Sequence, residues 1–134
     1  MALHQPQHIL FVESDADAHG VTTAMLEHLG YTVRAEKEGL KALQAFSEEP
    51  DRFDLALFGD RMGEITGLEL ALRFKRIRPN LPIVFYVGYL DKPSAERVRT
   101  RIAEGVLLKP ATLREVADAL REAFHQPTRR KADR

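Results

Sequence analysis

The chain has 134 residues, with 20 basic side chains, 20 acidic side chains and no cysteine. That length suggests one domain able to bury roughly 68–70% of its unfolded surface without a metal or cross-link; balanced charge gives no global signal for nucleic acid or anionic membrane, and the missing cysteine excludes disulfides, thiolate metal sites and a thiol nucleophile. No apolar run approaches the roughly 18 residues of a membrane span, and the start "MALHQPQHIL" lacks the basic-then-apolar pattern of a secretory leader, so a cytoplasmic protein is expected.

Residues 8–13 (HILFVE) form a short apolar run that ends in an acid, the pattern of a buried strand. Residues 15–30 follow as a helix, with Ala18, Val21, Met25 and Leu29 at helical spacing, Gly20 as a weak point and Gly30 as the stop. A second strand is predicted over 31–36 and a second helix from 39 to Pro50. The third strand, 53–58 (FDLALF), is apolar on both parities, as expected where both faces are covered. A third helix spans 66–79 and a fourth strand 81–89. The fourth helix is expected over 92–105, with Ala95, Val98 and Ile102 facing inward, and a short fifth strand over 105–110. The last helix, 111–124, carries Leu113, Val116, Ala117, Leu120 and Phe124 as one apolar stripe.

Five alternations of strand and helix imply an α/β sandwich of three layers, with a parallel sheet between two helix layers and right-handed crossovers. The working site of such a sheet lies beyond the carboxyl ends of the strands. Residues 1–7 are expected to be an N-terminal extension, 8–124 the domain and 125–134 a polar, basic, disordered tail. Met1 and the polar tail fit a complete chain.

Four stretches stand at or lead into the strand ends: "ILFVESDADAHGVTTAMLEHLGYTV", "DLALFGDRMGEITGLEL", "PIVFYVGYLD" and "GVLLKP". Over residues 8–124 they make the chain resemble the receiver domain of two-component response regulators. The resemblance implies a flavodoxin-like (βα)5 fold with strand order 2-1-3-4-5. It also implies a phosphoryl-accepting aspartate after strand 3 and two acids after strand 1 that help hold Mg²⁺. A hydroxyl after strand 4 and a lysine after strand 5 then contact the phosphoryl group, and an aromatic residue on strand 5 moves with that hydroxyl.

Carried onto this chain, the strand-1 acidic pair falls on Glu13 and Ser14, with Asp15 just after. Counting five residues on from Asp54, or back from Met62 and Gly67, puts the acceptor at Gly59. The proline expected in the next loop is Gly63, the hydroxyl position is Val87, and the aromatic position is Val106. Lys109-Pro110 is kept, with a peptide bond that is commonly cis in the family. Glycine offers no nucleophile, and the attacking oxygen, the hydroxyl and a metal ligand are lost together. The resemblance therefore implies a degenerate pseudo-receiver that is not an enzyme and has no use for Mg²⁺.

Asp60 is the alternative acceptor, reached by a one-residue shift that the alternation of strand side chains opposes; otherwise it is a solvated turn residue. Glu13, Asp15 and Lys109 are expected to converge, as an ion pair or a residual ion site. The resemblance implies protein partners, such as a sensor histidine kinase or a phosphotransfer protein. The docking surface it implies is the face of the fourth helix, fifth strand and fifth helix, where Arg97, Arg99, Arg101 and Val106 lie, or else the first helix, and it offers a homodimer through the former. Arg73, Lys75, Arg76 and Arg78 are read as a solvated helix face, and Tyr89 as a stand-in for the missing aromatic. Three tail cations without a recognition helix give no specific DNA binding, and the five histidines share no metal spacing. Two other functions stay open: a working phosphoacceptor regulator using Asp60, and a small-ligand-binding α/β domain with a pocket between Gly59 and Val87.

Overall fold

Residues 9–12, 55–58 and 83–87 are apolar on both side-chain parities and buried on both, which only a strand covered on two faces satisfies. They are the centre of a parallel five-stranded sheet in a computed structural model that describes residues 6–88 and 102–125. Its strands are β1 (His8–Val12), β2 (Thr32–Glu36), β3 (Leu55–Phe58), β4 (Ile83–Val87) and β5 (Gly105–Leu108), in the order β2-β1-β3-β4-β5. The described helices are α1 (Ala16–His28), α2 (Gly39–Glu48), α3 (Gly67–Ile77) and α4 (Leu113–Phe124). This is the α/β sandwich expected from the alternation, with the flavodoxin-like strand order that the resemblance implies.

Strand parity divides the core in two. Leu10, Val12, Ala56, Phe58, Ile83, Phe85 and Val87 face one layer and pack with Ala42, Phe46, Leu70, Ala71 and Phe74 of α2 and α3. Ile9, Phe11, Leu55, Leu57, Val84 and Tyr86 face the other and meet Leu26 of α1 and Val116, Leu120 and Ala123 of α4. The Phe46 and Phe74 rings stack at 4.3 Å, with Phe58 edge-on to Phe74. Helix starts are fixed by side chains that accept the unpaired first-turn N–H groups. Asp15 caps α1, Thr66 caps α3, and Thr112 with Glu115 forms a capping box on α4.

Several expectations need correction. Val21 is exposed; the buried positions of α1 are Thr22 and Leu26, one position round the helix. After α2 the chain makes a 3₁₀ turn, Pro50–Arg52, so β3 starts at Leu55 and not at 53. Ile102 is buried as expected, but residues 102–104 are not helical. The fourth helix predicted over 92–105, with Arg97, Arg99 and Arg101, and also Tyr89, otherwise lie outside the described residues. The basic cluster on α3 is not simply a solvated face. Lys75 pairs with buried Glu104 at 3.0 Å, and that carboxylate also takes the Ile83 N–H at 2.8 Å. Arg78 donates to the Pro50 and Phe53 carbonyls and so holds the 3₁₀ turn. Unpaired carbonyls and a strand-end N–H account for both placements.

The register brings one end of the sheet to a common level. Val12 pairs with both Glu36 and Phe58, Phe58 with Phe85, and Val87 with Leu108. Residues just beyond these pairs therefore project past the same edge, where the strand order also reverses around β1.

Gly20 lies inside α1, is exposed, and has nothing within 4 Å of where a Cβ would sit. Gly20→Ala should stabilise the fold by about 0.5–1 kcal/mol. Urea unfolding with an unchanged slope is the check, and no gain in midpoint would contradict it.

Candidate functional site

Glu13, Gly59, Asp60, Gly88 and Lys109 meet at that shared edge. Glu13 follows β1 and is fully buried. A buried carboxylate is tolerable only when its oxygens are hydrogen-bonded and its charge is met. Here Oε1 accepts the Asp60 N–H at 3.0 Å and the Lys109 ammonium at 3.2 Å. Oε2 accepts the N–H groups of Asp15 at 3.0 Å and Arg61 at 3.3 Å. Ser14 adds a backbone bond, donating its N–H to the Arg61 carbonyl at 2.7 Å.

Gly59 follows β3 and is buried beside that carboxylate. A Cβ on Gly59 would lie 2.0 Å from Glu13 Oε1 and 2.8 Å from Glu13 Cδ. No side chain fits there while Glu13 keeps its place. Gly63, in the following loop, has φ +84. Proline is locked near φ −65°, so the expected proline is incompatible with this path of the loop.

Asp60 was expected as an acceptor or a solvated turn residue, and it is more engaged than the second reading holds. Its carboxylate accepts the Gly88 N–H at 2.8 Å and the Lys109 ammonium at 3.1 Å. Its side chain is 37% exposed, on the open side of the cluster. The ammonium thus stands between two carboxylates, one buried and one open to water. It also lies 5.4 Å from the centroid of the Tyr86 ring, within range of a cation–π contact. Burial pushes the Lys109 pKa down, but the hydrogen bonds and charges of Asp60 and Glu13 outweigh it, so the net direction is upward. The Lys109-Pro110 peptide bond is cis, and the Lys109 N–H bonds the Val87 carbonyl at 2.8 Å.

Glu13 and Lys109 therefore converge as expected, but Asp15 does not join them. Its carboxylate is used on the N–H groups of Asp17 and Ala18 at the start of α1. Val87 is buried in the first core cluster, and Val106 is half-buried against it. Two surface cavities, of about 370 and 440 Å³, are lined by other residues than Gly59 and Val87, and the space beside Gly59 holds the Glu13 carboxylate. Gly88 is the member that sequence reasoning missed, because it contributes only a backbone N–H.

Residues 9–121 match the family described as response regulator receiver domain. The response regulator receiver protein CpdR of Brucella abortus is 34% identical over 115 residues, which is 84% of this chain and 92% of that protein. The transcriptional regulatory protein GlrR of Escherichia coli is 24% identical over 123 residues, 92% of this chain. The chain spans 27% of the length of that regulator. A solved receiver domain protein from Methanospirillum hungatei superposes with a TM-score of 0.81 at 24% identity, covering 94% of this chain and 99% of that one. A magnesium-bound receiver domain of a sensor histidine kinase from Pseudomonas aeruginosa gives 0.79 at 23%, covering 90% and 98%. At these identities the superpositions speak for the fold.

Replacing Lys109 leaves the buried Glu13 charge without its cation. Lys109→Met should destabilise the fold by about 1–3 kcal/mol near neutral pH. Because the folded-state pKa of Lys109 is raised, this stabilisation is complete below the ordinary lysine range and fades as pH climbs through the raised value. Unfolding of the two proteins across alkaline pH should show the gap closing, and a gap that is absent at neutral pH would contradict the account.

Proposed function

The chain belongs to the response regulator receiver family, and from that premise we propose that it is a two-component signalling module that accepts no phosphoryl group and acts by protein–protein contact alone. One observation carries the reading: the space that a side chain at Gly59 would need is filled by the Glu13 carboxylate, with its Oε1 2.0 Å from the Cβ position. Gly59 stands at the acceptor position by the counts from Asp54, Met62 and Gly67. A carboxylate is thus still present there, but it enters from β1, is fully buried, and has both oxygens engaged by N–H donors and an ammonium. Attack on a phosphorus centre needs an oxygen with a free lone pair in line with the leaving group, and burial denies the donor its approach. Val87 adds to this, since its buried isopropyl group offers no hydroxyl to a transferred group.

The donor set does not suit Mg²⁺, which demands six oxygens in a near-ideal octahedron. Ser14 stands where the second acid is expected, Asp15 is turned to the α1 cap, and an ammonium already lies between the Glu13 and Asp60 carboxylates.

The partner we assign is a sensor histidine kinase or a phosphotransfer protein, met through a surface that is always presented. The exposed side chains of Leu108 on β5 and Leu113 at the start of α4 support this reading. A second copy of the chain on the same surface would be the homodimer.

Incubation with acetyl phosphate and Mg²⁺, followed by intact-mass measurement, tests the reading. The mass should stay that of the unmodified chain, and Mg²⁺ alone should leave the unfolding temperature unchanged. A gain of one phosphoryl group that disappears in Asp60→Asn would show a working acceptor at Asp60 and overturn the proposal.

A further inference from the structure

Asp60 is exposed at the start of the loop after β3, where an aspartate would ordinarily spend its charge on water. It spends it instead on two groups from two other strands. Both carboxylate oxygens lie within hydrogen-bond distance of the Gly88 N–H, at 2.8 and 3.1 Å, and Oδ2 also takes the Lys109 ammonium at 3.1 Å. Gly88 is the residue directly after β4, Lys109 directly after β5 and Gly59 directly after β3. The Asp60 N–H, for its part, is held by Glu13 at the end of β1. One residue therefore joins the ends of four strands, through its own N–H on one side and its carboxylate on the other.

We infer that Asp60 is a built-in anion that fastens the ends of β4 and β5 to the loop after β3, so that this edge has one fixed arrangement set by the chain itself and not by any added group. The chemistry favours it. A charged acceptor makes a stronger bond to a backbone N–H than a neutral one, and the ammonium partner is itself held by buried Glu13, so little side-chain freedom is left to lose on that side. The loop geometry also fits, since the Glu13 bonds to the Asp60 and Arg61 N–H groups set the direction in which the Asp60 side chain leaves the backbone. Asp60 acts here as a positioning residue. The tether is independent of whether any group on the chain accepts phosphate, so its test and the mass test above fail separately.

Gly88 is exposed, so its amide should exchange quickly with solvent unless Asp60 holds it. Amide hydrogen exchange followed by NMR should find the Gly88 N–H protected in the wild type and released about tenfold or more in Asp60→Ala, with the β3 and β4 amides unchanged. Asp60→Asn keeps an acceptor oxygen and loses the charge, and should give intermediate protection even if the alanine variant does not fold. Sulfate added to the wild type should leave the Gly88 resonance in place, because its donor is already occupied. Fast exchange of Gly88 in the wild type overturns the inference without any variant. So does a saturable sulfate shift of Gly88 in the wild type, or equal protection in Asp60→Asn and the wild type.

Discussion

Everything distinctive about the sheet edge depends on one buried charge. The Glu13 carboxylate is fully enclosed, and an enclosed carboxylate must find donors or give up its charge. It finds three backbone N–H groups and one ammonium. Meeting those demands sets the path of the loop after β3, fixes where Lys109 points, and requires that residue 59 have no side chain. Gly59 is therefore not only a missing group. It is the vacancy that lets Glu13, directly after β1, reach across to the neighbouring strand.

Asp60 then completes the pattern on the solvent side. It shares the Lys109 ammonium with Glu13 and takes the first N–H beyond β4. The cluster has two negative charges and one positive charge, all from the chain's own side chains, arranged where the ends of β1, β3, β4 and β5 meet. At the buried oxygen, the Glu13 charge is met by the Lys109 ammonium.

Much of the fold is legible in the sequence because parallel strands covered on both faces read as continuous apolar runs, and helices read by their stripe. The 53–58 run and the stripe ending at Phe124 are such cases. Boundaries fare less well. Val21 and Thr22 exchange roles on α1 because Thr can be buried on a helix once its hydroxyl is accommodated, and hydrophobicity alone ranks Val ahead. The site is legible in part: Gly59, Ser14 and Val87 stand where the resemblance implies an acceptor, an acid and a hydroxyl. What the sequence does not announce is that Glu13 fills the space beside Gly59. Glu13 reads as a conservative lengthening of an acid, and only three-dimensional placement shows its carboxylate in the space beside Gly59. Gly88 is silent because a backbone N–H has no sequence signature. Asp15 misleads for a physical reason, since an aspartate just before a helix is drawn to the first-turn N–H groups and is lost to the site.

Glu13 and Gly59 form one structural unit, in which the longer acid fills the space that the neighbouring position leaves empty. A double-mutant cycle of Glu13→Asp and Gly59→Asp, read by urea unfolding, tests it most directly. Shortening Glu13 by one methylene withdraws the oxygen that stands 2.0 Å from the Gly59 Cβ position, so Gly59→Asp should cost less in that background than in the wild type, by about 1 kcal/mol or more of coupling. Costs that simply add would mean that the two positions do not share that space, and would contradict the account.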